Sequence, residues 1–338
     1  MSSILETLLT RRAWLLADGA TGTNLFNAGL AAGEAPELWN VDRPEAVRAL
    51  YRSAVEAGSD LFLTNSFGGT AARLKLHDAS DRVYELNRAA AALGREVADA
   101  VDRPIVVAGS MGPTGEILAP VGSLPPEQAS AMFEDQARGL LDGGADVLWV
   151  ETLSAPEELH AAAAAIGKVG APWCCTMSFD TAGRTMMGVT SAEMVALVDA
   201  LPHKPIAFGA NCGVGASDLI RTVRGMTAAF PSLPIIAKGN AGIPKFVDGH
   251  VHYDGSPDLM ADYAALARAT GARIIGGCCG TGPDHLRAMR ARLEGEDPED
   301  PPGLEDIARR LGDFSSARDG TEAAPADAGG RRRRRRRG

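Results

Sequence analysis

Gly143-Gly144-Ala145-Asp146-Val147-Leu148-Trp149-Val150-Glu151-Thr152 is a short aliphatic run, announced by two glycines and closed by a carboxylate. Its apolar residues are consecutive rather than alternate, the pattern of a parallel strand buried on both faces. On either side, 125–141 and 155–168 carry apolar residues at three- and four-residue spacing, which predicts helices. Similar runs fall at 14–18, 60–65, 104–111, 172–179, 205–213, 234–240 and 273–280, with further helical patterns at 44–57 and 257–270, each headed by proline. Eight strands alternating with helices predict a (β/α)8 TIM barrel spanning residues 1–293. The competing layout, an open doubly wound sheet, would carry G-x-G-x-x-G after its first strand. Asp18-Gly19-Ala20-Thr21-Gly22 lacks that spacing, so the α/β barrel is the expected fold.

After residue 293 the composition changes. Residues 294–302 read as an acidic, proline-rich linker and 304–311 as a short amphipathic helix. From Ser315 onward alanine, glycine, aspartate and proline dominate, a mixture that buries too little surface to fold, so 294–338 is expected to end in a disordered tail. Its arginine run, 331–337, reads as solvated, the sharper alternative being a docking segment for RNA or an acidic protein.

The 338 residues are 45% hydrophobic and 23% charged, with a formal net charge of −9. Setting aside the seven terminal arginines leaves 27 basic against 43 acidic residues, a body of charge −16 that offers no footprint for nucleic acid. No run of about 18 apolar residues predicts a membrane span. Glu6 interrupts the first apolar stretch and Arg11-Arg12 follow it, the wrong order for a secretory signal, so a cytoplasmic location is expected. Five cysteines in such a chain do not suggest a disulfide framework.

In a barrel the working residues sit at the C-terminal ends of strands. The sixth expected strand ends Asn211-Cys212-Gly213 and the eighth ends Gly276-Gly277-Cys278-Cys279-Gly280. Three thiolates satisfy zinc while leaving its fourth tetrahedral position open, the pattern of a catalytic site. Adjacent cysteines on a regular strand face opposite ways, so both reach one metal only if the strand bends, as glycine permits. The spacing excludes a C-x-x-C zinc ribbon, whereas a redox pair at Cys278-Cys279 stays open. Cys174 and Cys175 lie inside a strand and read as core.

Asn-Cys-Gly, Gly-Gly-Cys-Cys-Gly and Asp18-Gly19-Ala20-Thr21-Gly22-Thr23 together resemble the homocysteine S-methyltransferase family over about residues 12–292. Further matches are Thr64-Asn65-Ser66-Phe67, Gly112-Pro113-Thr114-Gly115, Glu151-Thr152, Asn240-Ala241-Gly242 and Gly280-Thr281. The resemblance implies a zinc enzyme methylating homocysteine to methionine, with Cys212, Cys278 and Cys279 as ligands. It implies that Asp18 and Glu151 bind the substrate ammonium and that the turn of Gly19, Thr21 and Gly22 meets its carboxylate. Read from their positions alone, Asp18 is also a turn residue and Glu151 an ion-pair partner. Asn65 and Asn211 are placed around the same substrate, more as scaffolding than as contacts. His250 and His252 read as loop residues.

Members of the family take the methyl from betaine, S-methylmethionine or methylcobalamin. A betaine site needs an aromatic cage for its quaternary ammonium. Trp39 is available, but Gly68-Gly69 and Thr152 stand where betaine enzymes of the family carry aromatics. The 65–70 stretch resembles the methionine synthase module, which favours a corrinoid-borne methyl delivered by a partner subunit. Betaine or S-methylmethionine is the alternative, and a non-catalytic docking protein working through the arginine run a remote one.

Overall fold

The computed structural model describes residues 2–229, 231–243, 245–247, 250–295 and 299–320, with 245–247 and 250–252 described by backbone alone. Eight parallel strands form a nearly closed barrel: Leu15–Leu16, Leu61–Leu63, Val106–Met111, Val147–Leu153, Trp173–Met177, Ala207–Cys212, Ile235–Gly239 and Ala272–Gly277. The ladder runs from the first strand through the eighth and seventh down to the second. Each strand is followed by an outer helix, among them Pro126–Asp142, Pro156–Val169, Ala216–Ala228 and Pro257–Ala269. The expected elements and the (β/α)8 TIM barrel are thus present, with most strand ends trimmed by one to three residues, while the fourth strand runs on to Leu153 and the eighth begins at Ala272.

Strand residues divide by parity. Leu15, Leu61, Leu63, Val106, Ala108, Val147, Trp149, Cys174, Ala207, Ile236 and Ile274 form the barrel interior. Leu16, Phe62, Val107, Leu148, Val150, Cys175, Phe208, Ile235 and Ile275 face the helices. Cys174 and Cys175 are accordingly buried on opposite faces of one strand.

The barrel floor is closed by the helix Ile4–Arg11, whose Leu5, Leu8 and Leu9 join the interior cluster. A capping box between Ser3 and Glu6 starts that helix. Each fully buried leucine contributes about 2 kcal/mol of apolar transfer. Arg273 anchors the segment by donating to the carbonyls of Leu9, Arg12 and Ala13.

Between the first and second strands the ladder is replaced by a stitched seam. Asp60 N–H donates to Leu16 O at 2.7 Å, and Leu16 N–H donates back to Asp60 Oδ2 at 2.9 Å. One step higher, Leu63 N–H donates to Asp18 Oδ2 at 2.8 Å. Asp60 is almost fully buried and also accepts from Arg12 and Arg290, with Arg103 at 3.7 Å.

The segment after the seventh strand forms a small antiparallel hairpin, Lys245–Val247 with His250–His252, rather than the irregular loop expected for His250 and His252. The Asp248-Gly249 pair between its arms is a hairpin signal in the sequence. Leu304–Leu311 is helical as expected and buries Ile307 and Leu311. Beyond it, Arg221 donates to Ser316 O and stacks over Phe314, so 313–316 is held to the Ala216–Ala228 helix. The rest of the expected tail, 321–338 with its arginine run, lies outside the described residues. Among the described residues no helix is long and apolar enough to cross a membrane.

Candidate active site

The inward parity that builds the apolar interior continues upward and turns polar near the C-terminal strand ends. Ser110, Glu151, Thr176 and Lys238 each follow an interior residue by two positions, and Asn211 and Cys278 follow Ala207 and Ile274 by four. Cys212 ends the sixth strand, while Cys278 and Cys279 lie just past the eighth. The sulfurs of Cys212, Cys278 and Cys279 all lie within 4.8 Å of one another, with Cys212 and Cys279 at 3.8 Å.

Local backbone explains how adjacent cysteines converge. Cys278 N–H still donates to Gly239 O, continuing the strand, whereas Thr281 N–H folds back to Cys278 O at 3.2 Å. The third residue of that turn, Gly280, has φ 78, as a type II turn requires, and a side chain there would collide with Tyr253. Cys279 is fixed by donating its N–H to Asn240 Oδ1. Cys212 itself adopts φ 60, a conformation that costs a residue with a Cβ about 1–2 kcal/mol.

Asn211 is fully buried and braces this corner. Its Oδ1 accepts from Thr152 N–H at 2.9 Å and Thr176 Oγ1 at 2.6 Å, while its Nδ2 donates to Thr152 Oγ1 and points at Cys278 Sγ, 3.8 Å away. These bonds hold Thr152 at φ 62, rare for a β-branched residue, directly after Glu151.

Without a metal the three thiols share negative charge unevenly. S–H donation from Cys212 and Cys278 pushes Cys279 down to about 3. Cys212 rises far above an ordinary thiol because its proton bridges to its neighbours. Cys278 is pushed up to about 12, hydrogen bonding with Cys279 and burial outweighing what Cys212 and Lys238 lower.

Beside the sulfurs sit three buried charges. Burial raises the carboxyl of Asp18 despite its bonds to Lys238 and Leu63. Burial likewise pushes Glu151 up to about 7, although Lys238 and the Ser110 hydroxyl, 2.5 Å from Oε1, favour its charged form. Lys238 donates from Nζ to Asp18 Oδ1 at 2.5 Å. Burial disfavours its charge, but Asp18 and Glu151 outweigh that and hold the ammonium above the ordinary lysine value. Lys238 was not among the residues expected from sequence. Its signal was a lone cation in phase with Ile236 inside Ile235-Ile236-Ala237-Lys238-Gly239.

Asp18, Glu151, Asn211 and the three cysteines are therefore brought together. Asn65 is not: its amide donates to Pro36 O and Asn40 Oδ1, so it braces the second-strand loop. The turn after Asp18 interlocks with the eighth-strand turn through Ala20 N–H to Thr281 O and Asn24 Nδ2 to Thr281 O. A side chain at Gly19 would lie 2.7 Å from Thr281, so that close approach needs glycine. Thr21 caps the short helix Gly22–Asn27 without a side-chain cap bond.

The profile of the family described as homocysteine S-methyltransferase matches residues 15–293. A curated relative, methionine synthase of Mycobacterium leprae, is 31% identical over 308 residues, which is 86% of this chain and 25% of that protein. Methionine synthase of Mycobacterium tuberculosis is also 31% identical, covering 82% of this chain and 24% of its own length. The chain thus spans about a quarter of the curated relatives it matches. Among solved structures, the metallated form of the homocysteine methyltransferase MmuM from Escherichia coli superposes with a TM-score of 0.72 at 26% identity, covering 85% of this chain and 99% of that one. Its oxidised form gives 0.71 at 27% identity, with the same coverage.

Proposed function

The chain belongs to the homocysteine S-methyltransferase family, and from that premise we propose that it is a zinc-dependent cytoplasmic enzyme converting homocysteine to methionine. The observation that carries this reading is the triangle of Cys212, Cys278 and Cys279 at the barrel mouth. Tetrahedral zinc with bonds of about 2.3 Å sets its sulfur ligands about 3.8 Å apart, the spacing between Cys212 and Cys279. Three converging sulfurs with no fourth protein ligand among the described residues fit a metal that keeps one position for substrate.

When bound, zinc holds a substrate thiol as its nucleophilic thiolate at neutral pH. The chain's own residues supply the rest. Asn240 fixes the backbone of Cys279, and Asn211 braces Thr152 and Thr176 with its amide turned to Cys278 Sγ. Asp18 and Glu151 bind the homocysteine ammonium, with Glu151 held by Ser110 while its Oε2 makes no hydrogen bond among the described residues. The turn of Gly19, Thr21 and Gly22 follows Asp18 directly and offers backbone N–H groups to one side of the substrate carboxylate. Residues 1–293 form the working barrel, and 294–338 is an appendage to it.

For the donor we favour a corrinoid-borne methyl supplied by a partner subunit. The 65–70 stretch and the methionine synthase relatives support it. A small donor such as betaine or S-methylmethionine is the second reading, favoured by the match to nearly the whole length of MmuM.

The test is metal and turnover together. We expect about one zinc per chain, with both zinc and methionine formation lost in Cys278→Ala. A fully active protein that binds no metal overturns the reading. Methionine made from betaine or S-methylmethionine with no corrinoid partner present overturns the donor preference alone.

A further inference from the structure

We propose that Lys238 is a specificity-determining residue that binds the carboxylate of the amino-acid substrate. The inference rests on the proposed function and deepens it.

Lys238 is 2% exposed, yet its ammonium donates to a single acceptor among the described residues, Asp18 Oδ1. An ammonium carries three donors, and a charge so deeply buried is costly unless its hydrogen bonds are met. Lys238 stands one residue before the C-terminal end of its strand, in register with Asn211. Lys238 extends the interior row of Ile236, and its charge is felt by both Glu151 and Cys278.

The charges around it describe the missing partner. With both carboxyls ionised, Asp18 and Glu151 are two anions against one cation, and burial resists that state by raising both carboxyls, so it is completed only by a further positive charge. A ligand ammonium supplies that charge. It finds the second lone pairs of Asp18 and the uncommitted Oε2 of Glu151, since Asp18 Oδ2 is otherwise used by Leu63 N–H and Glu151 Oε1 by Ser110. A ligand carrying only an ammonium would leave Lys238 with its donors unmet. One carrying both an ammonium and a carboxylate completes anion and cation alike. The array is therefore complementary to a zwitterionic α-amino acid whose thiol reaches toward the three cysteines.

The test measures binding rather than turnover. Isothermal titration of zinc-loaded full-length protein compares L-homocysteine with 3-aminopropanethiol, which lacks the carboxylate, and 4-mercaptobutanoic acid, which lacks the ammonium. The wild type should bind homocysteine at least tenfold more tightly than 3-aminopropanethiol. Lys238→Met should weaken homocysteine by ten- to a hundredfold, the range of a lost charge-assisted hydrogen bond. It should leave 3-aminopropanethiol within about threefold. Lys238→Arg should keep most of the discrimination. Equal losses for both thiols would reduce Lys238 to a structural counter-ion and overturn the proposal, as would homocysteine binding unchanged in Lys238→Met. If the Met variant does not fold, Lys238→Gln and the wild-type discrimination ratio decide, and a ratio near one overturns the proposal. A wild type that binds 3-aminopropanethiol and homocysteine alike leaves the homocysteine reading standing without Lys238. One that binds none of the three thiols removes that reading as well.

Discussion

Replacing Asp60 with alanine attacks the barrel where it is least zipped. The first and second strands share no ladder, and Asp60 supplies the junction through its own N–H and through Oδ2, which accepts Leu16 N–H at 2.9 Å. Losing that acceptor strands a buried amide, at a cost of about 1–3 kcal/mol. The carboxylate also gathers Arg12, Arg290 and Arg103, whose side chains are 38%, 25% and 36% exposed. Exposure of that degree screens most of the attraction, so the lost pairs add only about 1 kcal/mol. The sum is about 2–4 kcal/mol for Asp60→Ala. Asp60→Asn retains an oxygen for Leu16 and should lose about 1–2 kcal/mol. At roughly 2–4 °C per kcal/mol for domains approaching this size, thermal unfolding by circular dichroism should drop by about 4–16 °C for alanine and about half that for asparagine. Three arginines left facing one another repel, so 0.5 M salt should recover part of the alanine loss. A wild-type melting temperature in Asp60→Ala, or equal losses in both variants, refutes the account.

Other substitutions probe the site without substrate. In metal-free protein Cys212→Gly should be more stable than Cys212→Ala by about 1 kcal/mol in urea unfolding, because only glycine escapes the cost of φ 60. That inverts the ordinary preference for alanine, and a more stable alanine variant contradicts it. Glu151 is raised from 4.5 to about 7 in the folded protein, so the folded state holds that proton more tightly than the unfolded one. Its contribution to stability is present at low pH and is lost as pH rises from about 4.5 to 7, by on the order of 3 kcal/mol at most. Melting of the metal-free wild type should therefore fall relative to Glu151→Gln between pH 5 and 7.5, and the opposite slope excludes the assignment.

The barrel was legible because its strands are continuous aliphatic runs and its helices begin at prolines, both purely local signals. The cysteine triangle was legible because glycine-flanked cysteines close two expected strands. What escaped depends on parity across strands. Lys238 looks like one polar residue in an apolar run until the inward row of Ser110, Glu151, Thr176, Asn211 and Cys278 is assembled around it. Asn65 reads as scaffolding from its position, but a strand-end asparagine does not say which loop its amide braces, here that of Pro36 and Asn40. The hairpin after the seventh strand hid in a segment too short for periodicity.

The closed floor also sets an order of events during synthesis. Arg273 grips Leu9, Arg12 and Ala13 across more than 250 residues of chain, and the first strand finds its ladder partner only in the eighth. Contacts of such separation close large loops and form late. The leucines of the opening helix must therefore wait, exposed, until nearly all of the barrel has left the ribosome. Cys278 and Cys279 complete their triangle with Cys212 in the same final stage, so the proposed metal site matures only when the floor beneath it has closed.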